Sequence, residues 1–162
     1  MGILKADAAP AIYLHEHYFN CEGTEYKNKR QNIIACVRLE EWDQKIISPD
    51  ENIIPKAQSD RLSMLSACQA NTSEVLAMYE DPLKIISCLL AAEALSPPLI
   101  DVVDSQGERH HVWAITQADL IQQIQRELAS QPLYIADGHH RYDSALTYKR
   151  EKAAKATSVT GE

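Results

Sequence analysis

Polar and apolar positions alternate with period two over residues 11–19 (AIYLHEHYF), setting Ile12, Leu14 and Glu16 on one face of a strand and Tyr13, His15 and His17 on the other. The polar stretch 21–31 (CEGTEYKNKRQ) reads as a hairpin connection into a second strand over 32–39 (NIIACVRL). From Pro55 the period lengthens. Leu62, Leu65 and Cys68, with Met64 beside them, recur at helical spacing and predict a helix over 56–69. Residues 74–79 (EVLAMY) read as a short buried strand, and Asp81-Pro82 as the start of a second helix with Ile85, Ile86, Leu89 and Leu90 on its apolar face. The prolines after Ser96 stop it.

Residues 99–103 and 110–115 flank the turn Asp104-Ser105-Gln106-Gly107, which predicts a second hairpin. Thr116 with Asp119 has the spacing of a capping box, and Leu120, Ile121, Ile124 and Leu128 mark a third helix that Pro132 closes. A short strand, 133–136 (LYIA), then runs into Asp137-Gly138-His139-His140-Arg141 and a last helix carrying Tyr142, Ala145 and Leu146. Strands interleaved with about four helices place the chain in the α+β (α/β) class. The expected division is a leader over 1–10, one domain over 11–152 and a frayed tail over 153–162.

With 162 residues, 45% of them hydrophobic and 24% charged, the chain has the make-up of a globular domain. Its net charge of −7 repels phosphate backbones and argues against a nucleic-acid partner. Cys21, Cys36, Cys68 and Cys88 are scattered without zinc or redox spacing, and read as buried thiols of a reducing compartment. Nothing in the sequence resembles a signal peptide, and no apolar run approaches the roughly 20 residues of a membrane span. The expected location is the cytoplasm, with no membrane partner.

Chemistry concentrates in Asp137-Gly138-His139-His140-Arg141. A strand ends, a glycine permits close backbone approach, and a helix begins with unpaired N–H groups and the positive end of its dipole. Two imidazoles and a guanidinium in the same turn add donors, and arginine grips phosphate through two parallel hydrogen bonds. Asp137 on the strand side would hold Mg²⁺, orient a histidine or accept bonds from a substrate amine; its plainer role is to cap the helix. This is no P-loop, since GxxxxGK[ST] is lacking.

Ser48-Pro49-Asp50-Glu51-Asn52 is a second candidate, with two adjacent carboxylates that serve either as base or metal ligand or as an ordinary turn. His15 and His17 share a strand face but have no identifiable third metal ligand, so a solvated face is the simpler reading. His110 and His111, adjacent on a strand, point to opposite sides. Trp113 reads as core. Asp60 and Arg61 read as a solvated helix pair, although Arg61 reaches a ligand if its helix starts near the anion site.

In order, AIYLHEHYF, IIACVRLEEW, SPDEN, PKAQSDRLSMLSACQAN, EVLAMYED, DSQGERHHVWAI and LYIADGHHRYDSAL resemble the bacterial and archaeal family DUF1015 over residues 10–150. LYIADGHHRY is the most specific part. Family members are longer, so the chain resembles a central portion of them. The glycine-histidine-arginine turn also resembles the ParB/sulfiredoxin-like superfamily, in which a strand–turn–helix binds nucleotide phosphates and free-serine kinases phosphorylate L-serine. The resemblance implies a nucleotide-dependent phosphotransferase using ATP or ADP and Mg²⁺ on a small hydroxyl metabolite. It puts Gly138, His139, His140 and Arg141 around the phosphates and Glu51, Asp137 and His140 in the catalytic set. Where the family has proline-histidine-glutamate, this chain has Pro49-Asp50-Glu51: the histidine is replaced and the glutamate, the candidate base, is kept. The alternative is a non-catalytic module that binds a nucleotide or other anion for regulation.

Overall fold

A computed structural model describes residues 7–19, 28–49 and 55–159. The chain divides into two compact units: Met1–Val37 with Asp81–Ala129, and Arg38–Glu80 with Ser130–Glu162. Helices and strands mix in both, as expected of the α+β class. No helix among the described residues is long and apolar enough to cross a membrane.

The first unit is built on a four-stranded antiparallel sheet in the order β2-β1-β6-β5, from β1 (Ile12–Phe19), β2 (Asn28–Ile34), β5 (Ile100–Val103) and β6 (Arg109–Ile115). Alternation along β1 holds: Leu14 and Glu16 are buried, and Leu14 lies opposite the buried Trp113. The second strand begins four residues earlier than its apolar pattern suggests and ends at Ile34. Its polar start has a structural reason, because Lys29 and Gln31 bring their side chains to the buried Glu16 carboxylate, at 2.7 and 3.0 Å.

Helix α2 (Ile85–Glu93) buries Ile86 and Leu90, and α3 (Ala118–Ala129) buries Ile124. Asp81 anchors the start of α2 from a distance, its carboxylate accepting hydrogen bonds from the Ser87 N–H at 2.8 Å and hydroxyl at 2.7 Å, while Pro82 lies in the preceding turn. Before α3, the Thr116 N–H donates to Gln117 Oε1 at 3.2 Å, and among the described residues no side-chain hydrogen bond joins Thr116 to Asp119 in the expected box. In the β5–β6 turn the Asp104 carboxylate collects the N–H groups of Gln106 and Glu108, and Gly107 takes φ +81°.

The second unit holds a three-stranded mixed sheet, β3-β7-β4, made of β3 (Ile47–Pro49), β4 (Leu76–Met78) and β7 (Leu133–Asp137). β3 runs parallel to β7 and β4 antiparallel to it. Ser48 and Pro49, expected in a loop, thus close a strand. Helices α1 (Pro55–Cys68) and α4 (His139–Val159) pack on each other, and α4 continues past the point where apolar periodicity lapses. The core is Ile47, Ile135, Tyr142 and Leu146, with Leu39, Trp42, Val75 and Leu133 against it.

β4 departs from the expected buried strand. As an edge strand it pairs on one side only, and Leu76 and Met78 are exposed. Three of the cysteines depart too: Cys36, Cys68 and Cys88 are free but exposed, Cys36 because the chain has left the sheet there and Cys68 and Cys88 because they sit on outer helix faces, while Cys21 lies outside the described residues.

Candidate anion-binding site

The start of α4 is held from several sides within the second unit. The Tyr142 hydroxyl accepts from the Glu40 N–H at 2.9 Å and donates to the Glu40 carbonyl at 2.8 Å, and its ring packs on Trp42 with centroids 4.7 Å apart. The Trp42 indole N–H donates to Asp143 Oδ1 at 3.1 Å, and Lys149 donates to the Leu39 carbonyl at 2.8 Å. Burial of Leu146 and Tyr142 fixes the helix on the sheet, so its first turn projects from a rigid base.

Gly138 is the hinge between β7 and α4. Its φ of +94° lies where only glycine is comfortable, and its carbonyl opens the helix by accepting from the Tyr142 N–H at 3.0 Å. Arg141 folds back over this glycine: a Cβ at position 138 would come within 2.7 Å of Arg141 Nε and 2.8 Å of Nη2. The absent side chain therefore makes the seat of the guanidinium. Asp137, 72% exposed, pairs with Nη2 of Arg141. Among the described residues Nη2 alone of this guanidinium is engaged, leaving most of its donors for a ligand.

Arg141 also lines an open cleft with Ser144, with Arg61 of α1 and with Asn71, Thr72 and Ser73 of the following loop. That loop is placed by Gln69, which ends α1 in the left-handed region with its N–H on the Leu65 carbonyl at 2.9 Å. Arg61, which the sequence left as one of a solvated helix pair, lines the same cleft as Arg141, since α1 packs on α4. His140 follows a different course. Its Nδ1 is enclosed without a hydrogen-bond partner among the described residues, and its carbonyl accepts from the Ser144 hydroxyl at 2.7 Å. His139 is half-buried beside it. Asp50 and Glu51 lie outside the described residues.

One oxygen of the Asp137 carboxylate pairs with Arg141, and among the described residues no group of three acidic, histidine or cysteine side chains is placed to hold a metal ion, so these residues by themselves do not form a Mg²⁺ site.

A second polar cluster, in the first unit, escapes a reading of the sequence alone. The β1–β6 register sets His17 opposite His110, and the rings of His15, His17 and His110 stack, His17 and His110 with centroids 4.5 Å apart and His15 and His110 5.3 Å. Asn32 lies 3.4 Å from His15 Nδ1, His15 Nε2 3.0 Å from His110 Nδ1, and His110 Nε2 3.4 Å from Asp104. Since Asn32 Nδ2 only donates and the carboxylate only accepts, the chain of bonds assigns the proton to Nε2 of both imidazoles. His17 Nε2 donates to Glu108 at 2.6 Å. These histidines are thus a half-buried, closed network and not the solvated face expected. Among the described residues this stack is not one of any group placed to hold a metal ion.

On the opposite face Glu16 is 2% exposed. Desolvation pushes its carboxyl up, but hydrogen bonds from Lys29, Tyr18 and Gln31 outweigh this and hold it below the ordinary value. Tyr18 is pushed up to about 12 by burial and by its bond to the Glu16 carboxylate.

The fold and site define an α+β protein with an arginine-lined cleft at a strand-to-helix turn. The chain belongs to the DUF1015 family, described as a protein of unknown function, whose family model matches residues 1–162. Comparison with curated proteins and with solved structures finds no match.

Proposed function

We propose that the protein binds nucleotide phosphates at the turn from β7 to α4 and, as a nucleotide-dependent phosphotransferase, passes a phosphoryl group from ATP or ADP to a small hydroxyl metabolite, with L-serine the leading candidate. The observation that carries this reading is the seat of Arg141 over Gly138, at the start of a helix anchored to the sheet. Phosphoryl transfer asks little covalent help of a protein: it needs positioning, neutralised oxygens and an acceptor for the hydroxyl proton. The acceptor oxygen bonds to the terminal phosphorus as the bond from that phosphorus to the bridging oxygen breaks. The hydroxyl proton passes to a base, and the nucleotide leaves one phosphate shorter.

Resemblance assigns the base to Glu51. β3 runs parallel to β7 with Pro49 opposite Ile135, and Glu51 lies outside the described residues.

The second reading, a binding module without catalysis, is favoured by the pairing of Asp137 with Arg141, which occupies the described carboxylate closest to the turn. Calorimetry with ADP and ATP, and phosphorus NMR with L-serine present, separate the two. Arg141→Ala should abolish nucleotide binding. Glu51→Gln should bind as before without making phosphoserine. Binding by the unaltered chain with no product from any hydroxy acid would leave the module, and unchanged affinity in Arg141→Ala would remove both readings.

A further inference from the structure

Arg61 enters the cleft from the middle of α1, with no described side chain hydrogen-bonded or ion-paired to it. Arg141 enters from the first turn of α4. Two guanidiniums lining one cleft repel each other, and the Asp137 carboxylate offsets the charge of Arg141 alone, so an anion entering the cleft relieves what is left. Nothing in the core requires this, since Arg61 is exposed and the packing of the unit rests on Ile47, Ile135, Tyr142 and Leu146. Around the two cations stand the Asn71 amide and the Thr72 and Ser73 hydroxyls, all able to donate, while Met64 and Leu65 supply an apolar wall that weakens screening by water.

The donor set discriminates among anions. A carboxylate is satisfied by one arginine fork. A terminal phosphoryl group carries up to two charges on three oxygens, so it engages a fork on each side and still has an oxygen for a hydroxyl donor.

We propose that the α1–α4 cleft is a two-arginine clamp for a single terminal phosphoryl group, with Arg61 a phosphate-binding residue and the Asn71-Thr72-Ser73 loop its hydroxyl and amide rim. The clamp rests on the reading of Arg141 as a phosphate contact and adds the second jaw. It reads the phosphoryl end of the ligand, whether that end belongs to inorganic phosphate, to a nucleotide or to a phosphorylated product.

Calorimetric titration of the full chain with inorganic phosphate, acetate, ADP and phosphoserine tests it. The unaltered chain should bind phosphate in preference to acetate. Arg61→Ala should weaken phosphate binding by at least about tenfold and lose that preference, and Arg61→Lys should restore charge but only part of the affinity, lacking the fork. Arg61 is exposed, so these variants should keep the far-ultraviolet circular dichroism of the parent. Failure of the unaltered chain to bind phosphate, or equal affinity in Arg61→Ala, would overturn the clamp. If ADP binding depends on Arg141 and not on Arg61, the clamp falls while the reading of the α4 turn survives. If phosphate binds through both arginines but ADP binds no tighter than phosphate, the clamp stands and the nucleotide reading falls. Among the sources, the ligand that binds tightest identifies what the clamp serves.

Discussion

The two units treat polar side chains in opposite ways. In the first, Glu16 is buried and closed by Lys29, Tyr18 and Gln31, and the three stacked imidazoles form a chain running from Asn32 to Asp104. In the second, Arg141 and Arg61 line an open cleft, and the described carboxylate paired with Arg141 is Asp137. Closed polar networks specify a structure, because each group has found its partner within the chain. Charges left facing a cleft specify a ligand. A cluster of three histidines is by habit the first place to look for function, yet its geometry here is self-satisfied, and the proposed phosphate site lies with the less conspicuous arginines.

The largest expected effect breaks the closed network. Glu16→Ala removes the acceptor of Tyr18, Gln31 and Lys29 in the sheet and should destabilise the protein by about 2–3 kcal/mol in chemical denaturation, without changing nucleotide affinity. A loss of affinity equal to that of Arg141→Ala would blur the distinction between the units.

Acidification sharpens it. The carboxyls of Glu16, Asp81, Asp101 and Asp104 are held below their ordinary values, Asp101 chiefly by Arg109, Asp104 chiefly by the Glu108 N–H, and Glu16 and Asp81 by hydrogen bonds that outweigh desolvation. A group whose folded pKa is depressed contributes stability that is present above its unfolded value and lost as pH falls through the folded one. All four lie in the first unit, against one such carboxyl among the described residues of the second, Glu41, held down chiefly by Arg150. Below about pH 4 the amides of the first unit should therefore lose exchange protection before those around Leu146 do. At the alkaline end Tyr18, raised from 10.0 to about 12, contributes stability present below pH 10 and lost between the two values, which a tyrosinate absorbance titration follows.

Smaller still is Gly138→Ala. A side chain at φ +94° should cost about 1 kcal/mol. The new methyl also pushes the Arg141 head from its seat, so phosphate affinity should fall out of proportion to stability. Smallest on stability is Arg141→Ala, within about 1 kcal/mol because the pair with Asp137 is largely solvated. Its effect belongs to binding, which calorimetry reads.

Much of this fold is legible where a single period governs a segment. β1, α1, the β5–β6 hairpin, α3 and the passage from β7 to α4 follow from alternation or helical spacing, and Gly138 announces the turn. Misreadings occur where a residue answers to a partner distant in sequence. Lys29 and Gln31 look like turn residues until Glu16 is seen to need them. β4 looks buried because apolar residues in a short run do not reveal an edge. The parallel pairing of β3 with β7 has no local signal. His110 joins His15 and His17 only through the β1–β6 register, and Arg61 joins Arg141 only through the packing of α1 on α4. The conditional reading of Arg61 shows the limit: a sequence says that a cation is present, and tertiary packing decides what it faces.

The most direct test of the difference between the units is a titration of the isotope-labelled full chain with ADP, followed amide by amide in proton–nitrogen NMR. Saturable shifts are expected at Gly138, His139, His140 and Arg141 and in the loop of Asn71 to Ser73, with the amides of His15, His17 and His110 unmoved. Shifts centred on the histidine stack, or none at the α4 turn at saturating ADP, would overturn the assignment of phosphate binding to that turn.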